Sequence, residues 1–112
     1  MNDPAVDRSF HALAHPVRRR IVERLARGPA SVAEATRDIP LSKPAVSKHL
    51  KVLEGAGLVT RRIDGRRHHL TLVSAPLADA DDWLRRHREM WEGTLDRLER
   101  LLAAGDAETP AG

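Results

Sequence analysis

The chain contains no cysteine. That one absence excludes disulfides, thiolate-held metals and cysteine redox switches. No apolar run approaches the ~20 residues needed to cross a bilayer, and the opening Met1-Asn2-Asp3-Pro4 lacks the basic-then-apolar pattern of a secretory signal. A cytoplasmic protein with no membrane partner is expected. The parts of an enzyme are missing too. No Ser-His-Asp order, phosphate-cradling glycine loop or metal triad occurs in a suitable context, so neither catalysis nor a cofactor is expected. What remains is one small globular domain of 112 residues, 31% charged and 41% hydrophobic.

The net charge of +3 hides an asymmetry. From Ser42 to His69 there are seven Lys and Arg against two carboxylates, a net of +5; from Ala75 to the end, five against nine, a net of −4. One region attracts polyanions and the other does not, which suggests a nucleic-acid face.

The basic region opens with Ser42-Lys43-Pro44-Ala45-Val46-Ser47-Lys48-His49-Leu50. Val46, Leu50 and Leu53 share one helical face, and Lys43, Ser47, Lys48 and Lys51 the other. Ser42 is placed to cap the helix, with Pro44 in its first turn. A capped helix with an apolar back and a Lys/Ser front suits a DNA major groove. Upstream, a first helix is expected from about Asp7 to Ala14, with Phe10, Leu13 and Ala14 on its apolar side. A second starts at His15-Pro16, carries Val17, Ile21, Val22 and Leu25, and stops at Gly28-Pro29. A third begins at the capping box Ser31-Val32-Ala33-Glu34 and runs until Pro40 ends it after Ile39. Helix, tight turn, helix is the helix-turn-helix arrangement. Downstream, Leu58–Ile63 and Arg66–Leu72 read as strands joined by a two-residue Asp64-Gly65 turn, a basic hairpin serving as a wing. Beyond Pro76 a long helical pattern runs to about Ala104. Leu84, Trp91 and Leu98 recur at seven, and Leu95 and Leu102 fall four after the last two, an imperfect heptad seam interrupted by Arg88. The expected fold class is mainly α with a small β-hairpin wing.

Four segments in order, His15-Pro16-Val17-Arg18-Arg19-Arg20-Ile21-Val22, Leu41 through Leu53, Ala56-Gly57-Leu58-Val59 and Asp64-Gly65-Arg66-Arg67, give the chain a resemblance to the ArsR/SmtB-type winged-helix transcription regulators from about Phe10 to Leu72. The resemblance implies a homodimeric repressor that binds an imperfect palindrome in double-stranded DNA and leaves it when an effector binds. Carried over position by position, it puts Ser42, Lys43, Pro44, Ser47, Lys48 and His49 on the recognition helix and Arg62, Arg66 and Arg67 in the wing. The first and last helices would build the dimer interface, through Phe10, Leu13, Leu84, Trp91, Leu95, Leu98 and Leu102. The implied organisation is a flexible N-terminus over residues 1–6, a DNA-binding domain over 7–74, a dimerisation helix over 75–104 and a disordered tail over 105–112.

Many relatives sense metals through a cysteine pair or through Asp/His clusters on the last helix. This chain has neither: its last helix offers His87 among Asp82, Glu89, Glu92 and Asp96, without a second histidine. Pro40 stands where relatives commonly have Gly, and Leu70 where many have an aromatic. The chain therefore looks closer to metal-independent members. His11 and His15 read as structural, and His68 and His69 as strand residues beside a phosphate backbone. Ser47 is a poor helix former on an exposed face, which favours use of its hydroxyl on DNA; His49 either reaches a base or packs along the helix flank. Trp83 and Trp91 read as interface core, with an effector pocket for an organic ligand as the other reading. The rival function is a winged-helix module that binds a protein and no specific DNA.

Overall fold

Four helix starts are written in the sequence as a capping side chain followed by a compatible first turn. The computed structural model describes residues 3–108, with side chains described through residue 105. Asp3 caps α1 (Pro4–Leu13), its carboxylate accepting from the Val6 N–H at 3.2 Å. His15 caps α2 (Pro16–Leu25), Nδ1 accepting from the Val17 N–H at 3.1 Å. Ser31 caps α3 (Val32–Ala35) and Ser42 caps α4 (Lys43–Gly55). Each cap satisfies one N–H that the helix itself leaves unpaired.

Two boundaries differ from expectation. α1 begins at Pro4 rather than Asp7, because Asp3-Pro4 is itself a cap followed by proline at the first helical position. Val6, assigned by the sequence to a flexible end, is 3% exposed in the core. The buried face of α1 is Val6, Ser9 and Ala12; Phe10 and Ala14 are exposed, and Leu13 packs only partly against the core. α3 stops at Ala35 instead of running to Ile39: the Thr36 hydroxyl bonds back to the Val32 carbonyl at 2.7 Å, and a turn follows.

The sheet has three strands in the order β1-β3-β2, where β1 is Ala30–Ser31, β2 Val59–Asp64 and β3 Arg67–Leu72. Both pairings are antiparallel. Asp64 pairs with Arg67, so the turn residues are Gly65 and Arg66 rather than Asp64 and Gly65. Gly65 has φ +61° and no non-glycine residue has positive φ among those described. A type II′ turn, with glycine first, needs only one residue of positive φ, whereas the Asp-Gly alternative would also force Asp64 there.

α4 ends in a Schellman motif. Gly57 at φ +74° lets its own N–H reach the Glu54 carbonyl and the Leu58 N–H the Leu53 carbonyl, both at 3.0 Å. Leu53 and Leu58 are fully buried at that corner. Space is not limiting at Gly57, since an added Cβ would lie 3.6 Å from Pro76. Backbone conformation is. Gly57→Ala is therefore expected to cost roughly 1–2 kcal/mol in urea denaturation; an unchanged midpoint would show that the corner tolerates a side chain.

Contacts divide the chain into two units, Met1–Ala80 and Asp81–Gly112. The core of the first unit gathers Ile21 and Leu25 of α2, Val46, Leu50 and Leu53 of α4, Leu58, Val59 and Leu70. The second unit is built from α5 (Ala75–Glu108), which begins within the first. Helical structure continues past Gly105, where a disordered tail was expected; residues 109–112 of that tail lie outside the described residues. From Arg88 to Gly105 every residue is exposed, including Met90, Trp91, Leu95, Leu98, Leu101 and Leu102. No helix of the described residues is long and apolar enough to cross a membrane.

Candidate nucleic-acid interface

The two faces of α4 have separate work. Val46, Leu50 and Leu53 anchor it in the core. Ser42, Lys43, Pro44, Ser47, Lys48 and Lys51 are all exposed. The Ser42 hydroxyl accepts from the Ala45 N–H at 3.3 Å, so this side chain fixes the helix start as well as lying at its edge.

A groove of about 730 Å³ lies between α3, α4 and the wing. Lys43 and Ser47 form part of one wall, and Arg66 and Arg67 at the hairpin tip part of another. Lys48, Lys51 and Arg62 do not line the groove; they are exposed beside it. The structure thus brings four of the expected site residues to one concave surface and leaves five, Ser42, Pro44, Lys48, Lys51 and Arg62, exposed outside its lining.

His49 is the exception. It is half-buried, its Nδ1 3.2 Å from the Arg18 guanidinium and its ring 4.3 Å from that of His15. This side chain packs along the α4 flank toward α2, the second of the two positions the sequence leaves open for it. Burial, with His15 and Arg18 beside it, lowers its pKa below the ordinary 6.5.

Arg18 and Arg61 were not singled out from sequence, and both position this surface. Arg18 is 9% exposed. Its guanidinium donates to the carbonyls of Ala12 at 2.7 Å and His11 at 3.1 Å, at the C-terminal end of α1, and its third contact is His49 on α4. The signal was present: Arg18 precedes Ile21, Val22 and Leu25 by three, four and seven, the place of a core residue on α2. Arg61 lies on the same face of β2 as buried Val59. It donates to Glu54 near the end of α4 through Nε at 3.1 Å, and to His68 Nδ1 at 3.0 Å. This partly buried pair ties the wing to the recognition helix, and it leaves Arg62, Arg66 and Arg67 as the exposed wing cations.

Among the described residues no group of three or more His, Asp or Glu is placed to hold a metal ion. On α5, the ring of His87 stacks on Trp83 at 4.2 Å, and Trp83 meets Trp91 edge-on at 5.6 Å. His87 Nδ1 lies 2.7 Å from the Trp83 carbonyl. The two tryptophans and His87 therefore form one ladder along a helix face.

A family model described as a helix-turn-helix domain matches residues 13–62, from the end of α1 into the wing. The chain is 54% identical over 72 residues to the HTH-type transcriptional regulator Rv2034 of Mycobacterium tuberculosis, covering 64% of this chain and 67% of that one. It is 35% identical over 110 residues to the transcriptional regulator CmtR of the same species, covering 98% and 81% respectively. A crystal structure of an ArsR-family transcriptional regulator superposes with a TM-score of 0.77 at 32% identity, over 82% of this chain and 95% of that one. The capped recognition helix, the wing beside it and these relatives agree: the chain belongs to the ArsR/SmtB family of winged helix-turn-helix, DNA-binding transcriptional regulators.

Proposed function

We propose that the chain is a homodimeric repressor that occupies a palindromic operator, with α4 in the major groove and the wing on the adjoining backbone. The observation that carries this reading is the shared groove: Lys43 and Ser47 of α4 face the same concave surface as Arg66 and Arg67 of the wing tip. Lysines and wing arginines neutralise phosphates and set register, while Ser42, Lys43 and Ser47 reach base edges. Two recognition helices related by a two-fold axis would enter successive major grooves about 34 Å apart. The apolar stripe of α5, with Phe10 and Leu13 of α1, joins the two copies. Occupying a promoter is enough to repress it. A relative from Bacillus subtilis, 28% identical over 75 residues, is named the transcriptional repressor SdpR.

One relative, from Streptomyces lividans, is named a probable mercury resistance operon repressor. This chain has no cysteine with which to build a thiolate site for such a soft metal. Release from DNA runs instead through an organic effector or through protein concentration.

Selection of duplexes from a random pool, followed by mobility shift, tests the reading. Ser47→Ala is expected to weaken or relax specific binding by about 1–3 kcal/mol. Arg66→Ala and Arg67→Ala are each expected to weaken specific and non-specific DNA alike, and to reduce the slope of log K against log salt by about 1. No selectable sequence would favour the protein-binding module, and an intact slope with altered base preference would make the wing a sequence reader.

A further inference from the structure

We propose that His15, Arg18 and His49 form a proton-sensitive joint that seats the recognition helix on α1 and α2, so that acidification loosens α4 and weakens DNA binding. The inference rests on the DNA-binding reading for its second half and on geometry alone for its first.

The geometry fixes where protons sit. Arginine has no acceptor, so in the Arg18–His49 contact Arg18 donates and His49 Nδ1 accepts. His15 Nδ1 likewise accepts, from the Val17 N–H at the start of α2. Neither Nδ1 can carry a hydrogen in this arrangement. Both rings are therefore neutral, with their single N–H on Nε2. A proton added to either ring must go to Nδ1. On His15 it removes the cap of α2. On His49 it turns the acceptor facing Arg18 into a donor and sets two cations against each other. The two rings are 4.3 Å apart, so charging both adds a further repulsion.

Three elements meet here. α1 contributes the carbonyls of His11 and Ala12, α2 contributes His15 and Arg18, and α4 contributes His49. The charged or titratable groups acting on His49 are His15 and Arg18, which both oppose its protonation, after burial itself. Between the lowered pKa of folded His49 and the ordinary 6.5, the unfolded chain binds more protons than the native one. The stabilising contribution is complete above about pH 6.5 and is lost as pH falls through that window.

The test compares the wild type with the double variant His15→Asn/His49→Asn. Asparagine keeps an acceptor near each Nδ1 position, carries no titrating proton and is a good helix cap. Affinity for a selected duplex is measured at fixed ionic strength from about pH 7.5 to about pH 5.5, alongside the melting temperature. The wild type is expected to lose about tenfold in affinity, while the double variant stays within about twofold or binds more tightly. A wild type that loses nothing, or a double variant that loses as much, overturns the joint. If no duplex is retained at any pH, the DNA reading has failed and melting decides the joint. Acid-labile melting confined to the wild type supports it, and equal lability in both proteins overturns it.

Discussion

Arg18→Met is expected to cost about 3 kcal/mol of folding stability, the largest loss from any single polar side chain in the first unit. The volume of the side chain is roughly kept, so the loss is one of hydrogen bonding. Two acceptors lose the guanidinium as donor, the Ala12 carbonyl and Nδ1 of His49, while the His11 carbonyl loses one of two donors and keeps the Ala14 N–H at 3.2 Å. Each unsatisfied buried acceptor costs about 1–3 kcal/mol, with water recovering part where it reaches. The charge is not paired with a carboxylate in these contacts. It sits against the C-terminal end of α1, where unpaired carbonyls carry partial negative charge. For a unit of about this size, a 1 kcal/mol change moves the melting temperature by about 4–8 °C, so a drop of more than ~10 °C is expected in a thermal scan. Arg18→Lys should recover less than half of it, because a single ammonium cannot span carbonyls on one side and an imidazole on the other. A loss under ~1 kcal/mol for Arg18→Met would mean that water replaces the guanidinium without strain.

In the proposed dimer, Trp91→Ala is expected to favour the monomer, raising the dissociation constant by about two orders of magnitude or more. In the single chain Trp91 is 42% exposed, and Leu95, Leu98 and Leu102 are 50–62% exposed along the same stripe. Leu84 starts that stripe and is half-buried. A helix with such a face is stabilised by burying it. Removing a large aromatic from a packed seam costs about 3–5 kcal/mol, and each 1.4 kcal/mol is about tenfold in association. The Trp83–Trp91 edge contact goes with it. Sedimentation reads the oligomer, and operator affinity should fall in parallel because the half-sites become uncoupled. A variant that remains dimeric at low micromolar concentration would move the interface elsewhere.

The parts of the fold legible in sequence are those set by short-range chemistry. Ser31 and Ser42 announce their helices, Gly57 marks the end of α4, and the 46/50/53 spacing identifies its buried face. The Asp3-Pro4 start is equally local, but few apolar residues follow it at once to mark a helix. The Ala30–Ser31 strand had no local signal. Two residues cannot show alternation, and what makes them a strand is pairing with Leu70 and His69, far along the chain. Alternation could not place the hairpin turn either, since sliding the pairing by two leaves every side chain on its own face. Only the backbone demand at Gly65 decides it. In the candidate interface, the exposed Lys and Ser of α4 and the tip arginines follow from pattern. His49 does not, because whether a flank residue points to DNA or to the body depends on Arg18 and His15, which sequence brings near only through the fold.

The strand order also bears on how the protein stays in solution. β3 is paired on both sides, so the outward edge of β2 presents unpaired N–H and C=O groups in a row, the kind of edge on which another copy could stack. Exposed Ile63, 64% accessible, lies on that strand and would favour such stacking. Its neighbours resist it. Arg62 and Asp64 flank Ile63 and are exposed, and repeated copies in register would align like charges at each of them. The other edge, β1, is too short to template a partner. The charge that suits the wing for a phosphate backbone thus also protects the sheet against aggregation.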